Sequence, residues 1–242
     1  MNYVLIITII IIIVLLYVLW RYFSNTGTNI SSNTNLNTIQ TTPIPVSDRS
    51  VQYAYGVWIY VNSWTPGTGG SSGPKKVIFS RASDANSRDS SYTTCLYLDN
   101  VSPILYLDIA QNGTGTPPGT VTPPITISSN FPIQKWCYVA FSVNNQYVDC
   151  YLDGKLVKSV YLSGTLKSIE STGGIYVGSS TTPSDIYLNR FYHWANPLTP
   201  QDVWRNYLNG NGNNPLSALT NTIGFGFAFY RNNVETSTLR VF

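Results

Sequence analysis

The residues able to do acid–base or nucleophilic chemistry are few and scattered. The 242-residue chain has eleven acidic side chains, of which only Glu170 and Glu235 are glutamates, a single His193, and three cysteines, Cys95, Cys137 and Cys150. Retaining hydrolysis of a glycosidic bond needs two carboxylates about 5 Å apart. Asp149 and Asp153 could supply carboxylates, but the first is expected to face Lys158 across a hairpin and the second to sit in a tight turn. His193 reads as a strand residue, not a base. Gly-x-Ser-x-Gly occurs only as Gly69–Gly73, inside the Gly/Pro-rich loop 65–76 and not at a strand-to-helix turn, and no glycine-rich phosphate loop occurs, so hydrolase and nucleotide chemistry have no motif in the setting they need. The cysteines form no Cys-x-x-Cys, and with one histidine a zinc site has too few ligands. The expectation is a protein without catalytic residues and without a bound cofactor.

Composition narrows the partners. Charged residues are 10% of the chain and the formal net charge is +3, spread without a basic run, so phosphate-driven nucleic-acid binding is not expected. From Tyr3 to Trp20 no side chain is charged, and Ile6–Ile13 is broken only by Thr8. Roughly 18 apolar residues suit a helix crossing a bilayer. A cleaved leader would end in small residues, whereas this run ends in Leu19-Trp20-Arg21-Tyr22-Phe23. We therefore expect a single membrane anchor over residues 1–23, with Tyr3, Trp20 and Arg21 marking its ends and the lipid bilayer as a partner. Arg21 favours a cytosolic C-terminal side. The sequons at Asn29, Asn100 and Asn112 point the other way, toward a lumenal or extracellular domain. Residues 24–50, rich in Ser, Thr and Asn, read as a linker or as an extended arm lying along partner proteins.

Residues 51–242 carry the period-2 patterns of strands. Trp136–Val143 and the run from Gln146 form a hairpin, with a two-residue turn expected at Asn144-Asn145. That turn sets Phe141 against Val148, Val139 against Cys150 and Cys137 against Leu152, an apolar core face. Cys137 and Cys150 fall one pair out of register and are expected as free thiols. The opposite face holds Tyr138, Ser142, Tyr147, Asp149 and Tyr151, the candidate face for a ligand or partner. Its tyrosines offer stacking surfaces and Asp149 and Ser142 offer hydrogen bonds. Asp153-Gly154 makes the next turn, into Leu156–Tyr161. Further strands are expected at 53–61, 77–80, 94–98, 104–109, 175–178 and 186–194, with an alternating tail at 223–229. Thr199, Pro200 and Asp202 start a short helix that Gly210 ends, with Val203, Trp204, Tyr207 and Leu208 as its apolar stripe. The long loops 65–76 and 111–124 are alternative recognition surfaces.

These motifs, in order, resemble the laminin-G-like jelly rolls of the concanavalin A-like lectin/glucanase superfamily. The likeness is carried by KWCYVAFSVNNQYVDCYLDGKLV at 135–157, IYVGSS at 175–180, DIYLNRFYHWANPLTPQDV at 185–203 and YAYGVWIYVNSW at 53–64. It implies an all-β antiparallel jelly-roll sandwich with one short helix. Relatives bind calcium at a sheet rim, which makes Asp99, Asp108 and Asp185 loose candidates for it; no Asp cluster matches such a site. The chain's overall style is also similar to membrane-anchored minor capsid proteins of large icosahedral DNA viruses. That implies a virion component tying an internal membrane to capsid proteins. The alternative is a membrane-tethered lectin or adhesion module at a cell surface, with glycans as its partners.

Overall fold

The computed structural model describes residues 8–17, 27–39, 44–45, 51–70, 73–86, 88–112, 123–167, 174–212, 226–231 and 234–240. Tyr3, Trp20, Arg21 and Glu170 lie outside them. Two six-stranded sheets, every pairing antiparallel, face each other. The first runs in the order β1 (Thr28–Asn35), β14 (Ile186–Trp194), β3 (Gln52–Val61), β9 (Trp136–Asn144), β10 (Tyr147–Leu152) and β11 (Lys155–Tyr161). The second runs β2 (Ile44–Pro45), β13 (Gly174–Val177), β4 (Lys76–Ala82), β5 (Thr94–Leu98), β6 (Leu105–Ile109) and β8 (Ile125–Ser128). β7 (Gln111–Asn112) pairs with β12 (Thr165–Leu166), and β15 (Gly226–Arg231) pairs with β16 (Val234–Arg240). Neighbours far apart in sequence mark repeated crossings between sheets, as in a jelly-roll sandwich.

Alternation drives this arrangement. Tyr55, Val57 and Ile59 of β3, Val139, Phe141 and Val143 of β9, and Leu96 and Leu98 of β5 all turn inward and are buried. At the centre Tyr55 meets Phe79 (ring centroids 5.0 Å apart) and Phe141 (5.4 Å), while Phe79 meets Phe191 (4.7 Å). His193 is buried on β14 with its ring 4.9 Å from that of Tyr55, a core position. The three cysteines are free and buried. Burial pushes the Cys137 thiol up to about 11 and the Cys150 thiol to about 12, so both stay protonated and inert.

Three sequence expectations change. The β9–β10 turn falls at Asn145-Gln146, one residue later than expected: Asn144 pairs with Tyr147, and only Asn145 takes a positive φ, of 54°. Asn144 is kept in its strand because it also pairs with Gln52, whose Nε2 donates to its Oδ1 at 2.9 Å. Phe141 therefore faces Cys150 instead of Val148, a slide of two positions that leaves each residue on its expected face. The Asp153-Gly154 turn forms with both φ values positive, 48° and 78°, as a type I′ turn requires. A bulge after Cys150 then places Ser159, not Lys158, opposite Asp149.

The third change concerns residues 24–50. Thr28–Asn35 is no linker: it pairs along β14 as an edge strand, and Leu36 behind it is buried in the core. Backbone pairing needs no apolar side chains, so a polar segment can complete a sheet edge. Residues 8–17 form helix α1. No helix among the described residues is long and apolar enough to cross a membrane.

Candidate functional site

The outward face of the first sheet is best followed in rows across β3, β9, β10 and β11. The first row is Gln52, Asn144, Tyr147 and Tyr161; the second is Ala54, Ser142, Asp149 and Ser159; the third begins Gly56, Ala140, Tyr151. All five residues of the sequence-predicted face do share this side of the sheet. The structure nevertheless divides them into a covered half and an open half.

Helix α2 (Pro200–Leu208) makes the cover. Thr199 caps it: its side chain accepts from Asp202 N while Asp202 returns a bond to the Thr199 backbone, with Pro200 in the first turn. Gly210, at φ 71°, donates to Tyr207 O and ends it. The helix lays Val203 and Tyr207 on Trp58, Tyr138, Ala140 and Tyr151, with Trp58 and Tyr207 stacked at 5.6 Å. Tyr138 and Tyr151 are 2% and 1% exposed, so they are packing residues and no stacking surface for a ligand. Burial, reinforced by Asp149, pushes the Tyr151 phenol up to about 12. Ser142 is also covered, and its Oγ accepts from Leu198 N at 2.9 Å, pinning the segment that leads into α2. Ser142→Ala leaves that N–H without its acceptor. It should cost about 1–3 kcal/mol in urea unfolding, with faster amide exchange at Leu198.

The open half keeps Tyr147 and Asp149 and adds residues the sequence reading passed over. Tyr147 and Tyr161 are each 59% exposed, with ring centroids 5.2 Å apart. Tyr161 Oη donates to Gln146 Oε1 at 3.1 Å, which fixes the ring. Ser159 Oγ donates to Asp149 Oδ1 at 2.6 Å, so Oδ2 remains able to accept. A cleft of about 350 Å³ between β6, β8 and β11 adjoins this rim, lined in part by Leu107, Ile109, Ile125, Tyr161 and Ser163. Two planar rings, a carboxylate with a spare lone pair and exposed amides suit a ligand with apolar ring faces and many hydroxyl groups. Period-2 counting along β11 was the signal that would have found Tyr161, since it faces outward with Ser159.

The calcium candidates do not converge. Asp108, on the outward face of the second sheet, accepts from Lys75 Nζ at 3.0 Å and Tyr92 Oη at 2.7 Å, with Lys75 Nζ 4.1 Å from the Tyr97 ring centre. Burial, with Asp108 adding to it, pushes the Tyr92 and Tyr97 phenols well up. Asp99 accepts from the Val101 and Ser102 backbone. Asp185 accepts from Ser63 Oγ, Asn62 Nδ2 and Asn37 Nδ2. Among the described residues no three His, Cys, Asp or Glu are grouped to hold a metal ion. Of the sequon residues, Asn100 is 2% exposed and donates Nδ2 to Thr68 O and Gly70 O, so that nitrogen is closed to glycosylation in the folded chain.

The hydrogen bonds from Ser63 and Asn62 hold the Asp185 carboxyl below its ordinary 3.8. A lowered folded value means its stabilisation is complete above about pH 3.8 and is lost as pH falls through that lowered value. The stability gap between wild type and Asp185→Asn should therefore be present near neutral pH and close in acid. Denaturation midpoints across an acid series measure it.

No family model and no curated protein matches the chain. Among solved structures it is similar to the binding domain of botulinum neurotoxin serotype G, at 13% identity over 65% of this chain and 36% of that one, TM-score 0.47. It is similar to the binding domain of botulinum neurotoxin DC in complex with SialylT, at 16% identity over 65% and 35%, TM-score 0.47. A third is domain 4 of an extracellular arabinanase from Geobacillus stearothermophilus in complex with arabinotriose, at 18% identity over 66% and 67%, TM-score 0.43. The chain spans about a third of the length of the neurotoxin binding domains it matches. The strand order and core of this chain themselves make it an all-β, antiparallel two-sheet sandwich.

Proposed function

We propose that this protein is a non-catalytic binding module that holds a neutral oligosaccharide on the open rim of Tyr147, Tyr161 and Asp149, and that its apolar N-terminal helix keeps it at a membrane. The observation that carries the first part is the exposed Tyr147–Tyr161 pair beside the Asp149 carboxylate, which among the described residues accepts a side-chain hydrogen bond only from Ser159, through Oδ1. Sugar rings present C–H faces to aromatic rings and hydroxyls to carboxylates and amides. Asp149 disfavours an anionic ligand by like-charge repulsion.

The membrane part is supported by helix α1, whose side chains from Ile9 to Tyr17 are all about half exposed or more and so need an apolar surface outside this chain. The narrower reading as a capsid tether has no observation of its own: much of the stretch read as an arm reaching partner proteins is folded as β1 on the chain's own sheet. A glycan array probed with the full chain in detergent tests the binding reading. Retention on neutral saccharides is expected; retention on none, or on acidic saccharides alone, overturns it. Flotation of the full chain with vesicles tests the membrane part separately.

A further inference from the structure

The cleft beside the tyrosine rim opens where the two sheets part. β8 ends the second sheet and β11 ends the first, and the gap between them reaches the core side chains of β6. Leu107, Ile109, Ile125 and Leu162 line its depth, none more than 8% exposed. Among the described residues no charged side chain lines it. Gln111, the polar side chain at that depth, has its Oε1 taken by Gly164 N at 2.7 Å. Tyr161 and Ser163 stand exposed at the mouth.

Cleft and rim are built as one piece. Tyr161 belongs to both, and Gln146 ties them together. Its Oε1 accepts from Tyr161 Oη at 3.1 Å, its Nε2 donates to Gly164 O at 3.4 Å, and its backbone carbonyl accepts from Leu162 N at 2.7 Å. The wall is therefore fixed before a ligand arrives, which lowers the ordering cost of binding. At about 350 Å³ the cleft falls at the small end of the roughly 300–1,000 Å³ range of small-molecule sites, too small for a helix or a folded partner. A sugar hydroxyl entering it would lose its hydrogen bonds to water without replacement. A methyl or methylene group gains by leaving water there. We propose that the cleft receives a short apolar group carried by the sugar on the rim, so that the ligand is a neutral saccharide bearing an alkyl or acyl substituent; this rests on the reading of the rim as a saccharide site.

The test titrates the full chain, held in phospholipid nanodiscs, with methyl, ethyl, propyl and butyl glycosides of glucose, galactose and mannose. Empty nanodiscs correct for partitioning into lipid. A parallel series of acyl esters on the primary hydroxyl of the same sugars, acetyl to butyryl, separates a substituent on the ring from one on the anomeric oxygen. The expected result is an affinity that climbs about fourfold per added methylene in at least one of the two series. Ser163→Trp and, from the β8 side, Pro123→Trp, both at exposed positions lining the cleft, should flatten that climb. Tyr147→Ala should weaken every member by one common factor and keep the climb. Binding that does not depend on chain length in either series overturns the cleft assignment and leaves the rim reading intact. A climb that survives both tryptophan variants places the apolar group elsewhere and equally overturns the assignment. Binding of no member of either series overturns the rim reading, and the cleft assignment with it.

Discussion

Phe141→Ala should lower the free energy of unfolding by about 3–5 kcal/mol, a large share of the roughly 5–15 kcal/mol that holds a typical domain folded. Phe141 is 1% exposed on β9, a strand paired on both sides, by β3 and by β10. Its ring lies nearly parallel to Phe79 of the facing sheet, with centroids 6.2 Å apart and planes 5° from parallel, and 5.4 Å from Tyr55. Removing it opens a cavity where the two sheets meet, and neighbours held by ladder hydrogen bonds cannot collapse into it. Val101→Ala, at an exposed loop position, should change stability by less than about 0.5 kcal/mol. Urea unfolding followed by near-ultraviolet circular dichroism measures both, and the slope against denaturant should be unchanged.

The second large effect is on binding. Tyr147→Ala combined with Tyr161→Ala should weaken saccharide affinity more than tenfold while leaving stability nearly unchanged, because both rings are 59% exposed and bury little core area. Each aromatic contact contributes about 0.5–1.5 kcal/mol beyond its area, and the two rings brace one another across β10 and β11. Asp149→Asn keeps the shape and removes the charge, so it should weaken binding less. Tyr106→Ala, on the outward face of the second sheet, should leave affinity unchanged. Isothermal titration with a neutral oligosaccharide separates these outcomes.

Local signals in the chain were readable and distant ones were not. Thr199, Pro200 and Asp202 announce the start of α2 within four residues, and Asp153-Gly154 announces its turn. Which face α2 covers depends on Trp58, Tyr138 and Tyr151, brought together from three strands. Alternation puts Tyr138 and Tyr151 outside the sheet, but it carries no information that a helix some fifty residues later will bury them. The one-residue error at Asn144 has the same origin: both asparagines tolerate a turn, and the pairing with Gln52, 92 positions away, decides between them. β1 escaped notice because an edge strand held by backbone bonds shows no apolar period. The Lys75–Asp108 pair escaped because its partners are 33 residues apart.

The central claim is that ligand sits on the Tyr147–Tyr161 rim. Fluorine resonances of fluorotyrosine-labelled full chain, assigned by single Tyr→Phe variants and followed through titration with a neutral oligosaccharide, test it most directly. The account predicts saturable shifts at Tyr147 and Tyr161, with Tyr97 and Tyr106 unmoved. Shifts confined to Tyr97 and Tyr106, or a bound saccharide that moves neither rim tyrosine, would contradict it.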